Sequence, residues 1–436
     1  MKMDEYLTAL TEQIRCKMAR ETVQEEIRGH IEDQMEAFLD EGMNREEAEN
    51  AAVAQMGDPV EAGSALDRIH RPRMAWGMIV LIGILGTVGL LIQYLLQQQS
   101  SENQLTVIDF GRQAWILAFS FLVMILVCFA DYTRVGVRAK AITAALFIII
   151  LVAMTFFSVP VNGAKFWLVA PLGIPFSINV QMLILLFAPL YGAVLYTYRG
   201  RGYDALLPGL LWMLPGLFSA LMIPSIMTAG TLFFSYVIML SAALAKGWFK
   251  VKRKAVLSVL WSGVILLPVT LCFVVLNYTG GYRTERIRAL VDSESPMSYQ
   301  LRVVRQMIAG SNWLGAGGRT MLAGEVSDFT LTYTIYYYGI LTGILLVSLI
   351  LFLFLRFFRI SFRQKNQLGM IMGMGCSAVL MVQLAMYLAG NLGFINLSSY
   401  CPFLNYGGSG MGVSFILYGL LLSIYRYEKV ITSETV

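Results

Sequence analysis

The chain has 436 residues, of which 57% are hydrophobic and only 14% charged, with a net charge of +5. Soluble proteins carry about a quarter charged residues, so a purely soluble enzyme is excluded, and the apolar content excludes intrinsic disorder. The two histidines, His30 and His70, and five scattered cysteines without a CxxC pair exclude His-rich zinc chemistry beyond residue 70, a metal knuckle and a disulfide framework.

The charge is unevenly placed. Residues 1–70 hold 17 acids against 7 Lys/Arg, and residues 71–436 hold 11 acids against 26 Lys/Arg. The first segment has no apolar run long enough to span lipid, and no signal-peptide core follows Met1. It reads as an acidic helical prefix domain over 1–70. Leu7, Leu10, Ile14 and Met18 form one apolar stripe at helical spacing. Thr22 with Glu25 has the pattern of a capping box, in which two side chains satisfy free backbone N–H groups. Ile27, Ile31, Met35 and Leu39 line the following face up to Gly42. Asn44 with Glu47 repeats the box ahead of Ala48, Ala52, Val53 and Met56. Asp58-Pro59 then places a cap before proline at a first helical position. These are three or four helices of a small soluble bundle.

From residue 71 onward the chain is mostly apolar runs. A bilayer crossing takes about 20 apolar residues. Ten runs qualify, at roughly 74–96, 113–131, 140–158, 178–197, 205–223, 226–246, 255–277, 329–355, 368–391 and 411–425. The fold class expected is therefore all-α, a polytopic membrane protein of about ten transmembrane helices behind a small helical bundle. Lys and Arg cluster between spans 2 and 3, 4 and 5, 6 and 7, and 8 and 9, and again after span 10. The positive-inside rule places all of these, and both termini, in the cytoplasm. The outer loops are then 159–177, 278–328 and 392–410.

Loop 278–328 is too long for a simple connector. It carries six arginines, Arg283, Arg286, Arg288, Arg302, Arg305 and Arg319, and a glycine cluster at Gly315, Gly317 and Gly318. A tolerated long loop accounts for this charge. A surface that holds an anionic headgroup, such as a lipid diphosphate, accounts for it as well, because the planar arginine fork pairs phosphate oxygens bidentately.

The order of the outer-loop motifs is specific. The first outer loop reads VNGAKFWLVAPLGIPFSIN. The second reads ERIRALVDSESPMSYQLRVVRQMIAGSNWLGAGG and ends in VSDF, and the last reads GNLGFINLSSYCPFLNYGGSG. Over about residues 74–430 the chain resembles the SEDS family (shape, elongation, division and sporulation), which includes FtsW, RodA and SpoVE. Its NGAxxW loop, its Tyr-Gln loop with a Gly-rich tail, its Thr-Asp-Phe and its Tyr-Gly-Gly-Ser ending recur here in order. The prefix resembles the small helical domain ahead of some bacterial permease-type membrane proteins.

The resemblance implies a peptidoglycan glycosyltransferase that polymerises lipid II, a polyprenyl diphosphate-linked sugar, at the outer face of the bacterial cytoplasmic membrane. The partners it implies are a penicillin-binding transpeptidase and membrane lipids, with no nucleic acid. Asp328 matches the Asp of Thr-Asp-Phe and is the expected catalytic carboxylate, although an Asp there also suits the start of span 8 as a helix cap. Arg286 matches the family's loop arginine and is the diphosphate candidate. Tyr299 and Gln300 match the Tyr-Gln pair, Trp167 the NGAxxW tryptophan, and Tyr406, Gly407, Gly408 and Ser409 the last signature; all are expected to bind substrate. No metal-ligand set is read from the sequence, but a leaving diphosphate needs cationic or metal stabilisation, so a divalent cation is a candidate cofactor.

The chain also departs from the family. Where the family has a glutamate and then a lysine in span 4, the aligned stretch is Asn179, Val180, Gln181, Met182. The Gln-Pro-Asp between spans 5 and 6 appears as Ile223, Pro224, Ser225, and the Glu-Glu after Asp-Phe as Tyr336, Tyr337. Intramembrane charges are costly and usually functional. Their loss leaves two alternatives to an enzyme acting in division, cell shape or sporulation. One is a catalytically degenerate scaffold or regulator of cell-wall synthesis. The other is a transporter of lipid-linked precursors, which the scarcity of charges within the spans disfavours.

Overall fold

The computed structural model describes residues 1–69, 71–99, 109–161, 164–169, 177–223, 225–278, 285, 289, 298–315, 328–396, 399–428 and 430. Four helices open the chain: α1 (Met3–Glu12), α2 (Lys17–Asp40), α3 (Arg45–Gln55) and α4 (Pro59–Ile69). They close over Tyr6, Leu7, Leu10, Ile14, Val23, Ile31, Ala52 and Val53, all buried. Polar ties lock the bundle at its margins. The Tyr6 hydroxyl donates to the Met56 carbonyl over 3.1 Å, and the Arg15 amide donates to Asp67 over 2.9 Å. Asn44 accepts from the Glu47 amide, and Asp58 accepts from the Val60 and Glu61 amides, as expected of caps. The Thr22–Glu25 box does not form. Helix α2 starts at Lys17 with Cys16 at its N-cap, and Thr22 lies in its interior. Ala19 and Val23 are both buried one turn apart, so packing extends the helix past the local capping signal.

The membrane part follows. Its elements are α5 (Trp76–Gln99), α6 (Phe110–Phe129), α7 (Tyr132–Val137) and α8 (Ala139–Phe156), then strands β1 (Ser158–Val161), β2 (Ala164–Val169) and β3 (Ser177–Asn179). Next come α9 (Val180–Leu183), α10 (Phe187–Tyr196), α11 (Leu206–Leu211), α12 (Leu214–Met222), α13 (Ile226–Ala245) and α14 (Arg253–Tyr278). The chain ends with α15 (Tyr299–Ala309), α16 (Thr330–Tyr338), α17 (Ile340–Arg363), α18 (Gln367–Asn391) and α19 (Gly408–Arg426). Among the described residues nine helical segments are long and apolar enough to cross a bilayer, and the shorter apolar segment Val180–Tyr196 falls where the fourth span was expected. The chain is thus a multi-pass membrane protein. The one non-helical unit among the described residues is a small antiparallel sheet, β1-β2-β3, built from the first outer loop.

Helix α18 is the hub, with 83% of its spanning window buried. It packs against α10, α13 and α17, and Gly375 lies against the Ala188 backbone of α10. Such close approach through small residues is how helices associate where lipid supplies no hydrophobic drive. At the ends of the spans that carry the basic loops, cations sit on aromatic rings. Lys140 lies over Tyr198 at 4.3 Å, and Arg426 over Phe129 at 4.2 Å.

The expected eighth span, 329–355, is two helices. The short α16 ends at Gly339, and α17 starts afresh at Ile340. Gly339 has φ 97, and a Cβ there would lie 2.7 Å from both Leu314 Cα and the Trp313 carbonyl oxygen. The turn at 312–313 then caps α17, with its carbonyls accepting from Ile340 N (3.0 Å) and Leu341 N (3.2 Å). Asp328 therefore precedes a separate buried helix, and is not the cap of a long span. Tyr336, Tyr337 and Tyr338 close that short helix.

Gly339→Ala is expected to destabilise the protein by about 1–3 kcal/mol, since it combines a left-handed backbone with a backbone clash. Gly412→Ala, at a helical site with no neighbour within 4 Å, is expected to leave Tm unchanged or raise it. Thermal unfolding of the two variants in detergent checks the contrast.

Candidate functional site

The first N–H groups of any helix lack partners within it. In α16 the N-cap residue, Phe329, makes no side-chain cap. The C-terminal end of α18 supplies the missing acceptors. Tyr387 and Asn391 stand one turn apart on one face of α18. The Tyr387 hydroxyl accepts from the Leu331 amide over 3.1 Å, and Asn391 Oδ1 accepts from the Thr332 amide over 3.2 Å. Thr332 Oγ1 donates to the Asn391 carbonyl over 2.7 Å. Asn391 Nδ2 donates to the Asp328 carbonyl over 3.2 Å. Tyr387, Asn391 and Thr332 are buried, so water does not compete for these bonds. Asp328 itself is half-buried, neither sealed in the core nor fully exposed.

Two residues beyond Asn391, the same turn holds the second outer loop. Arg305 Nε donates to the Gly393 carbonyl over 2.8 Å. This docks α15, whose Leu301, Val303, Val304 and Met307 are buried while Tyr299, Gln300, Arg302 and Arg305 stay exposed. The 3.6-residue period puts Tyr299, Arg302 and Arg305 on one face, while Gln300, in the first turn, is exposed above the buried stripe. Asp328, Tyr299 and Gln300 thus belong to one assembly, built on the end of α18. Tyr387 and Asn391 are parts of it that sequence reasoning did not single out, and Arg305 was named only as one of six loop arginines. Their only sequence signal is a polar pair at i and i+4 at the end of an apolar run. Arg286 lies outside the described residues.

The last signature forms a second group. The Cys401 amide donates to Asn405 Oδ1 over 3.1 Å, and the Asn405 amide returns to the Cys401 carbonyl over 3.1 Å. Gln93 of α5 donates to the Leu404 carbonyl over 2.7 Å. The Phe403 ring stacks on Tyr418 at 5.6 Å, and Tyr418 on Phe357 at 5.8 Å, which ties the loop to α19 and α17. Gly407 then turns the chain into α19 at φ 148, a conformation that favours glycine. Ser409 Oγ accepts from the Asn179 amide over 2.9 Å. In the sheet Asn179 is the register partner of Trp167. The backbone at Trp167 and the Tyr406–Ser409 signature are thereby joined, with Tyr406, Gly407, Gly408 and Ser409 all half-buried. The Trp167 side chain lies outside the described ones.

The positions that depart from the family are filled by packing. Tyr336 is 2% exposed, and its neighbour Tyr337 stacks on Tyr333 at 6.3 Å. Val180 and Ile223 are buried. Among the described residues no three His, Cys, Asp or Glu side chains gather into a possible metal site.

Asn391→Ala removes the partners of the Thr332 amide and the Asp328 carbonyl, and is expected to cost about 1–3 kcal/mol for the buried groups left unpaired. Tyr387→Phe strands the Leu331 amide and is expected to fall in the same range. Thermal unfolding of each variant against the parent measures this.

Comparison with known proteins gives a consistent picture. The FtsW/RodA/SpoVE family model, described as a cell cycle protein, matches residues 72–430. A Geobacter sulfurreducens protein named as a probable peptidoglycan glycosyltransferase FtsW is 28% identical over 172 residues, covering 37% of this chain and 45% of the relative. A similarly named protein of a second Geobacter is 25% identical over 176 residues, covering 38% of this chain and 47% of the relative. The chain thus spans a little under half the length of these relatives. Among solved structures, one from work on polymerisation and crosslinking by a peptidoglycan synthase complex superposes with a TM-score of 0.67 at 21% identity. It covers 81% of this chain and 98% of that one. The rod shape determining protein RodA of Thermus thermophilus superposes with a TM-score of 0.56 at 19% identity, over 81% of this chain and 97% of RodA. At these identities the structural likeness establishes the fold.

Proposed function

The chain belongs to the FtsW/RodA/SpoVE family of cell cycle proteins, and from that premise we propose that it is a peptidoglycan glycosyltransferase that polymerises lipid II at the outer face of the cytoplasmic membrane. The observation that carries this reading is the placement of Asp328. It is a half-buried carboxylate whose backbone is fixed by Asn391 beside an exposed, arginine-bearing helix.

In the reaction a sugar hydroxyl attacks the anomeric carbon that carries the lipid diphosphate. The new glycosidic C–O bond forms as the carbon–diphosphate bond breaks, and the polyprenyl diphosphate leaves with the electron pair. Asp328 takes the proton of the attacking hydroxyl. General-base assistance of this kind contributes typically 10²–10⁴-fold. Arg286, Tyr299 and Gln300 are assigned to substrate binding on the motif match alone. Trp167 and the Tyr406–Ser409 turn are assigned to the same substrate's outer approach.

The basic loops support placing both termini in the cytoplasm. Residues 1–70 then form a separate acidic prefix on that side, and a penicillin-binding transpeptidase is the expected partner outside. A second reading rests on Tyr336 and Tyr337, packed where relatives carry carboxylates: the chain acts as a scaffold that keeps the fold without the chemistry.

One assay separates the two readings. The purified protein, alone and with its transpeptidase, is incubated with labelled lipid II beside Asp328→Asn. The glycosyltransferase reading expects polymer from the parent and about 10²–10⁴-fold less from the variant. Polymer from neither, with an intact partner complex, establishes the scaffold.

A further inference from the structure

Helix α15 carries two arginines three residues apart, Arg302 and Arg305, on its exposed face. Among the described residues neither makes an ion pair. Arg305 spends one donor, Nε, on the Gly393 carbonyl. That bond takes one of the five guanidinium N–H donors, and leaves its two terminal amino groups without a partner among the described residues. Gly393 lies two residues from Asn391, which holds the Asp328 carbonyl. One turn at the end of α18 therefore holds both the Arg305 guanidinium and the backbone of Asp328.

The surroundings narrow the ligand. Phe394, next to the anchoring Gly393, is 65% exposed, and Trp313 and Leu314, just beyond α15, are 68% and 71% exposed. Exposed aromatic and aliphatic groups beside paired guanidinium groups suit an anion that carries an apolar tail, whereas a soluble anion gains nothing from them. A diphosphate offers two adjacent anionic groups. Residues at i and i+3 on a helix stand about 5–6 Å apart at Cβ, a spacing from which two forks converge on one such headgroup.

We infer that Arg302 and Arg305 form the binding site for the diphosphate of a prenyl-linked substrate, holding its leaving group beside Asp328. This rests on the glycosyltransferase reading for the identity of the substrate, but the binding step is measurable without turnover. The pair also supplies positive charge in a chain that has no lysine in its fourth span.

The test uses the full chain in detergent and native mass spectrometry with a polyprenyl diphosphate. Inorganic pyrophosphate and phosphatidylglycerol serve as competitors. Arg302→Gln, Arg305→Gln and the double variant are compared with Arg302→Lys, Asp328→Asn and the parent. Arg302 makes no hydrogen bond to a described residue, so Arg302→Gln preserves the fold even where loss of the Gly393 anchor disturbs it.

The expected result is prenyl diphosphate binding about tenfold weaker for each arginine-to-glutamine change. Arg302→Lys recovers part of the loss, and Asp328→Asn, which removes a like charge beside the diphosphate, binds more tightly than the parent. Pyrophosphate and phosphatidylglycerol compete poorly. Parent-like binding by Arg302→Gln and the double variant overturns the inference, as does equal competition by phosphatidylglycerol, which marks a general lipid contact. Arginine-dependent binding without polymer from the parent leaves the inference standing and removes the glycosyltransferase reading. Polymerisation with an unchanged KM in the double variant does the reverse.

Discussion

The outer assembly depends on one turn of backbone, residues 387–393 at the end of α18. Helix α18 is the most enclosed of the described spans, so this turn is anchored in packed protein. From it, buried hydrogen bonds reach the start of α16 and a further bond reaches α15. A short helix that is buried without cap partners would carry several unsatisfied N–H groups, each costly away from water. Tyr387 and Asn391 remove that cost, and in doing so they dictate where Asp328 sits. A site built this way takes its precision from a packed helix, although the residues that face substrate lie on loops.

The same constraint explains how the chain tolerates its departures from the family. A charge within the apolar region is retained only where it has a partner or a task. Here Tyr336 and Tyr337 stand where the family has two glutamates, and packing replaces the charges. Removing both members of an ion pair leaves no uncompensated buried charge. The polar groups assigned to chemistry lie at helix ends, around Asp328 and the exposed face of α15. The chemistry proposed for this chain draws on that rim and on no carboxylate within the spans.

Most of the architecture was legible because it follows from length and hydrophobicity. Runs of about 20 apolar residues have one stable form in a bilayer. The caps at Asn44 and Asp58 were legible because their partners are three residues away or nearer. The identical pattern at Thr22 was misleading, because burial of Ala19 and Val23 carries α2 back to Lys17. The break at Gly339 was hidden, because 329–355 is apolar on both sides of it. Only the approach of the Trp313–Leu314 backbone requires the left-handed glycine. Asp328 was found through a resemblance, and its supports were not. Asn391 caps Thr332 across 59 residues of chain, and Arg305 meets Gly393 across 88. No local pattern encodes pairings at such separation.

The most direct measurement is an experimental structure of the full chain in a lipid nanodisc with a polyprenyl diphosphate bound. The account predicts diphosphate density between the exposed face of α15 and the Asp328 carboxylate, with the prenyl chain running past Phe394 into the outer leaflet. Density at the end of the spans that bears Lys140 and Arg426, or an Asp328 side chain turned away from the headgroup, would contradict it.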